Sequence, residues 1–127
     1  MAKITPEMSE FVEKERCLVA TADRKGQPNI AVKGSTMVID EETLAFGEIE
    51  GGKTYQNIIE NPQVMVIAVN LNDRTGYRFL GRCELISNGP LFEKFADFFA
   101  GMGRPSPVAV VQVKVNEIID LWGKKLR

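Results

Sequence analysis

Histidine is absent from all 127 residues of the chain. That removes the commonest general base, the usual activator of serine and cysteine nucleophiles, the commonest zinc ligand and the usual haem ligand. Hydrolytic triads, zinc enzymes and histidine-ligated haem proteins all lose their ordinary parts. No residue stands out as catalytic and no metal site is expected, so any chemistry points to a cofactor. A dominant charge is also lacking. Sixteen basic and 17 acidic residues leave a net charge of −1, and no global field favours nucleic acid or an anionic membrane. The longest apolar run, Val64 to Val69, is far too short to span a bilayer. Glu and Pro come early at the amino terminus with no apolar h-region, so no signal peptide is expected. Only two cysteines occur. Cys17 and Cys83 form no C-x-x-C pair and sit in apolar strand-like runs, so they read as buried small hydrophobes rather than redox or metal ligands. A cytoplasmic location follows by default.

What is present fits one domain, residues 1–127, with 44% apolar and 26% charged residues. Thr5-Pro6 is a helix start, and Met8, Phe11 and Val12 carry the helix to about Glu15. Cys17 to Ala22, Asn29 to Ile39 and Thr43 to Ile49 read as three strands. They are separated by the turns Asp23-Arg24-Lys25-Gly26 and Asp40-Glu41-Glu42, and turns this short require antiparallel neighbours. A short helix over Lys53 to Glu60 stops at Asn61-Pro62. Val64 to Val69, apolar throughout, predicts a strand buried on both faces. Tyr77 to Ile86 alternates and predicts another strand. Asn88-Gly89-Pro90 opens a helix whose stripe of Leu91, Phe92, Phe95, Phe98 and Phe99 reads as core, and Gly101 and Gly103 end it. Pro107 to Val115 is the last strand, followed by an apolar tail through Ile118, Ile119, Leu121 and Trp122. Six strands and three short helices predict a mainly β protein, an antiparallel barrel with helices on its outside.

One formal motif stands in the chain. Residues 47–54 read Gly-Glu-Ile-Glu-Gly-Gly-Lys-Thr, which satisfies the phosphate-loop pattern G-x-x-x-x-G-K-[ST], and Met37 to Glu41 resembles a Walker-B strand. The context argues against a nucleotide triphosphatase. Such enzymes need parallel strands joined by long crossovers, whereas these two strands are hairpin neighbours and Glu48 and Glu50 would face a triphosphate. The loop's physics survives without that name. Gly51 and Gly52 allow backbone N–H groups to approach an anion, Lys53 adds a charge, Thr54 a hydroxyl, and the following helix presents its positive end. That is sufficient for one monophosphate.

The order and spacing of several segments resemble the pyridoxamine 5′-phosphate oxidase-like FMN-binding split-barrel family. They are Ala20-Thr21-Ala22-Asp23 with Gly26-Gln27-Pro28, then Val32-Lys33-Gly34-Ser35, Leu44-Ala45-Phe46-Gly47, and Lys53-Thr54-x-x-Asn57-Ile58-x-x-Asn61-Pro62-x-Val64. The resemblance covers about residues 5–122 and implies a six-stranded antiparallel split β-barrel. It further implies that Gly52, Lys53 and Thr54 hold the FMN phosphate. Lys33, Gly34 and Ser35 would lie along the ring and ribityl chain, and Gly47, Glu48 and Ile49 would give backbone contacts to the ring. Relatives of this kind are usually homodimers with FMN at the subunit interface, where Trp122 could cover flavin or interface. The vitamin B6 oxidases carry an arginine just after the position of Pro28 and a second basic residue beside that of Lys53. Asn29 or Ile30 and Gly52 stand there instead, so the smaller FMN-binding or flavin reductase-like members are the nearer match. The implied function is a redox flavoprotein, oxidoreductase or electron carrier, exchanging electrons with a small molecule or a protein. The alternatives are a deazaflavin F420 protein on the same barrel, a nucleotide-binding protein using the phosphate-loop pattern, and a non-catalytic binding domain.

Overall fold

The computed structural model describes residues 2–127. Helix α1 (Pro6–Lys14) begins where its sequence dictates. Thr5 is the N-cap, its hydroxyl accepting the Met8 N–H at 3.2 Å, and Pro6 lies in the first turn, where its missing N–H costs nothing. Met8 and Val12 face the core, and Phe11 meets Tyr77 edge to face at 5.2 Å. Strands β1 (Arg16–Ala22) and β2 (Pro28–Val32) form a hairpin. Asp23 organises its turn: one carboxylate oxygen accepts the N–H groups of Lys25 and Gln27, each at 2.9 Å, and Gly26 takes φ +87°.

The expected single strand from Asn29 to Ile39 is two strands, β2 and β3 (Met37–Asp40). The Lys33 carbonyl accepts both the Thr36 N–H at 3.2 Å and the Thr36 hydroxyl at 2.7 Å, which closes a turn between them. Apolar residues on both sides of that turn mask it in the sequence. The sheet therefore has seven strands rather than six. After β4 (Thr43–Glu48) come helix α2 (Lys53–Glu60), strands β5 (Gln63–Asn70) and β6 (Thr75–Ile86), helix α3 (Pro90–Gly101) and strand β7 (Ala109–Asp120). Spatial order is β2-β1-β5-β6-β7-β4-β3, and every neighbouring pair is antiparallel. The architecture is thus mainly β with three short helices.

Two further expectations are corrected. The apolar tail beyond Val115 is not separate: β7 starts at Ala109 rather than Pro107 and continues to Asp120, following β6 around a register shift at Leu80/Gly81. Gly81 makes that bend possible, because a Cβ there would collide with the Lys114 carbonyl. Nor is β5 buried on both faces. Val64, Val66 and Ala68 point into the core, while Met65, Ile67 and Val69 are only half-buried. The strand covered on both sides is β4. Leu44 and Phe46 enter the main core with Val19, Val66, Phe79, Val111 and Val113. On its other side Ala45 joins Val110 beneath Phe95 and Phe99 of α3. Burying β4 twice fixes its carboxyl end, and that end bears the site.

Candidate functional site

Three segments converge beside the end of β4. Lys33 donates its N–H to the Cys17 carbonyl at 3.0 Å, the last rung of the hairpin, and then turns the chain through Gly34 and Ser35. The Ser35 hydroxyl accepts the Gly47 N–H at 2.9 Å and so ties this turn to β4. The Glu48 carbonyl accepts the Val108 N–H at 2.8 Å, which fixes the far side. Between these segments lies a cavity of about 340 Å³. Lys33, Gly34, Ser35, Gly47, Glu48 and Ile49 all line it. Lys33, Gly34 and Ser35 were expected along a flavin ring and its ribityl chain and Gly47, Glu48 and Ile49 at the ring, and the fold brings the six to one cavity. One detail differs: the Gly47 N–H is engaged by Ser35 and is not free for a ligand.

Four lining residues from α3 and the turn after it, Phe98, Phe99, Met102 and Arg104, complete the wall. Sequence reasoning placed the phenylalanine stripe in the core, and Phe95 and Phe99 are indeed buried, but Phe98 is 40% exposed and Phe99 does double duty. Phe99 also explains Gly47, since a Cβ at that position would run into its ring. The excess of Phe98 over the buried positions of α3 was the available signal. Arg104 carried none.

A buried ion pair sits in the cavity wall. Lys33 Nζ lies 2.8 Å from one oxygen of Glu48 and 3.0 Å from the other, and the two side chains are 15% and 5% exposed. The Phe46 ring centroid is 5.8 Å from the same ammonium.

Gly52, Lys53 and Thr54 do not line this cavity. They form the start of α2, reached through Glu50 and Gly51, where Gly51 takes φ +66°. Gly52 is the N-cap and supplies no side-chain acceptor, and the first turn holds no acidic residue. The first-turn N–H groups therefore have no intrahelical partner and present partial positive charge. A Cβ on Gly52 would meet nothing within 4 Å, so the approach is open. Lys53 Nζ is half-exposed and lies 3.9 Å from Asp23, a loose pair. Backbone N–H donation, chiefly from Gln27, holds the Asp23 carboxyl below its ordinary value, so Lys53 faces an ionised partner. Thr54 is buried and its hydroxyl accepts from the Asn29 amide at 3.1 Å. Asn29 thus belongs to this locus, although the sequence marked it only as a departure from the vitamin B6 oxidases. A flavin mononucleotide needs a cavity for its ring and a cationic anion site for its phosphate, and the residues of the 340 Å³ cavity and of the uncapped α2 start are of the kinds those two parts require.

The remaining candidates lie elsewhere. Cys17 and Cys83 are buried free thiols, as expected. Trp122 is 74% exposed on the turn after β7 and lines a different cavity with Phe11 and Tyr77. The all-antiparallel sheet and the hairpin of β3 with β4 exclude the phosphate-loop architecture that residues 47–54 imitate. Among the described residues no cluster of three or more His, Cys, Asp or Glu could hold a metal, and no helix is long and apolar enough to cross a membrane.

Comparison with known proteins gives one consistent result. The sequence pattern of the pyridoxamine 5′-phosphate oxidase family matches residues 4–122. An uncharacterised protein of Methanocaldococcus jannaschii is 31% identical over 95% of this chain and 83% of its own length. The crystal structure of HupZ from Group A Streptococcus superimposes with a TM-score of 0.90 at 32% identity, covering 98% of this chain and 99% of that one. An FMN-binding protein from Syntrophomonas wolfei gives 0.74 at 21% identity, with 90% and 88% covered, and shares the fold. So do an F420 reductase, with a TM-score of 0.70 at 15% identity over 91% and 98%, and the haem storage protein HutZ of Vibrio cholerae, with 0.69 at 17% over 92% and 94%.

Proposed function

The chain belongs to the pyridoxamine 5′-phosphate oxidase family, and on that premise we propose that it is a redox protein that binds FMN non-covalently. The phosphate is assigned to the start of α2 and the ring to the 340 Å³ cavity. The observation that carries this reading is the uncapped helix start: open space at Gly52, unpartnered first-turn N–H groups and a half-exposed Lys53 in one place. The chemistry supplied by such a cofactor is electron or hydride transfer. The protein's own contribution is placement. Lys53 and the α2 amides hold the anionic end, Phe98 and Phe99 wall off the ring from water, and the Ser35–Gly47 bond keeps the two sides of the groove in register. A chain without histidine has no need of one for this role.

Oxidation of pyridoxamine phosphate itself is disfavoured, because Asn29 and Gly52 replace two basic positions of the vitamin B6 oxidases. The electron donor and acceptor are assigned as a small molecule or a protein partner. Histidine-ligated haem, the other cofactor suggested by a fold-mate, would lack its usual ligand here. FMN titration followed by fluorescence tests the proposal. One FMN per chain is expected, with binding about tenfold or more weaker in Lys53→Ala through loss of a charged phosphate contact. Unaltered affinity in that variant would refute the phosphate assignment, and a bound mass matching F420 would keep the barrel while changing the cofactor.

A further inference from the structure

Three ion pairs occur among the described residues, and only Lys33–Glu48 is withdrawn from water on both sides. Removing two charges from water is costly, and this pair lies not in the core but at the cavity wall. Both ends are fixed by backbone. Lys33 is held by Cys17 and Thr36, and Glu48 by Val108. An ammonium has three N–H donors. The two Glu48 oxygens take two of them, and Lys33 Nζ has no third acceptor among the described residues. The pair therefore keeps one N–H donor without an acceptor and carries no net charge. Glu50 and Arg104, the other charged residues of the lining, are exposed and of opposite sign, so solvent and salt screen them.

Two-electron, one-proton reduction of a flavin leaves one added negative charge on the ring. A bare ammonium nearby would favour that product strongly in a poorly hydrated site, and a neutral pair would not. We propose that Glu48 is a positioning residue that cancels the Lys33 charge while aiming its last N–H into the cavity, so that bound FMN keeps a low reduction potential. The inference rests on the assignment of the ring to this cavity.

The test uses full-length protein loaded with FMN and titrated with dithionite against a reference dye. Glu48→Gln keeps the shape and exposes the lysine charge. Reduced FMN is then expected to bind about tenfold tighter relative to oxidised FMN, an upward shift of about 30 mV for a two-electron couple. Lys33→Met leaves a lone carboxylate and should shift the potential downward. The Lys33→Met, Glu48→Gln double variant carries no charge and should return to the wild-type value, which a purely structural role of either residue does not predict. An unchanged potential in Glu48→Gln with FMN bound stoichiometrically overturns the proposal. Should that variant not fold, a potential in the double variant that differs from the wild-type value overturns it instead. Failure of the wild-type protein to bind FMN at all strikes the cofactor assignment as well, and so is distinguished from failure of the charge assignment alone.

Discussion

Burial holds the two thiols far from their ordinary ionisation. Cys17 is pushed up to about 11 and Cys83 to about 12 from a reference of 9.0, because a thiolate at either place would be desolvated. From about pH 9 the unfolded chain releases these protons while the native protein keeps them. The unfolded state then binds fewer protons, so stability must fall as pH rises through this range. Urea midpoints measured from pH 8 to 11 should decline, and the decline should be shallower in a Cys17→Ala, Cys83→Ala variant. An equal slope in both would show that the thiols do not drive it. Gly47 gives a second residue-scale prediction. Its missing Cβ makes room for Phe99, so Gly47→Ala should cost about 1–3 kcal/mol by overpacking, read as a lowered thermal midpoint. That glycine is visible in the sequence as part of a phosphate-loop pattern, yet its reason is a ring contributed by α3, which no local pattern reveals. Burial of the cysteines, by contrast, was legible from their apolar flanks.

At the scale of elements, local chemistry decided most boundaries. Thr5-Pro6 starts α1, Asn61-Pro62 stops α2, and both lie where the sequence puts them. The Lys33–Thr36 turn is marked only by Gly34-Ser35 inside an otherwise apolar run, with no proline beside them, so the run reads as one strand. The two helix starts differ in a way that separates structure from function. Thr5 caps α1, and Thr5→Ala should cost about 1 kcal/mol with no effect on cofactor affinity. Gly52 leaves α2 uncapped, and a Cβ there would meet nothing within 4 Å. Gly52→Asp should therefore supply the missing cap and raise the thermal midpoint, by about 0.3–1 kcal/mol of stability, while placing a carboxylate where the phosphate is assigned. Stability and FMN affinity should move in opposite directions in this variant. A rise or no change in affinity would argue that α2 does not receive the phosphate.

At the scale of the whole molecule, one face of the sheet stays open. Pairing across β2, β1, β5 and β6 aligns Val32, Leu18, Ile67 and Arg78 in one row, and Ile30, Ala20, Met65 and Leu80 in the next. Ile30 is 64% exposed and Val32 58%, and the rest of these apolar side chains are only half-buried. An apolar sheet surface without a helix over it is the mark of an interface. A second copy on that face would cover Met65, Ile67 and Val69, the half-buried side of β5. We expect a homodimer through this face. Val32 also lines the candidate site, so the interface and the cofactor groove are contiguous. Ile67→Glu, at the centre of the face and away from the groove lining, should convert the dimer to a monomer by sedimentation. If the partner completes the flavin site, FMN affinity must fall in the same variant even though no groove residue has changed. A monomeric Ile67→Glu with undiminished affinity would place the whole site within one chain, and a dimer that survives the substitution would put the interface on another surface.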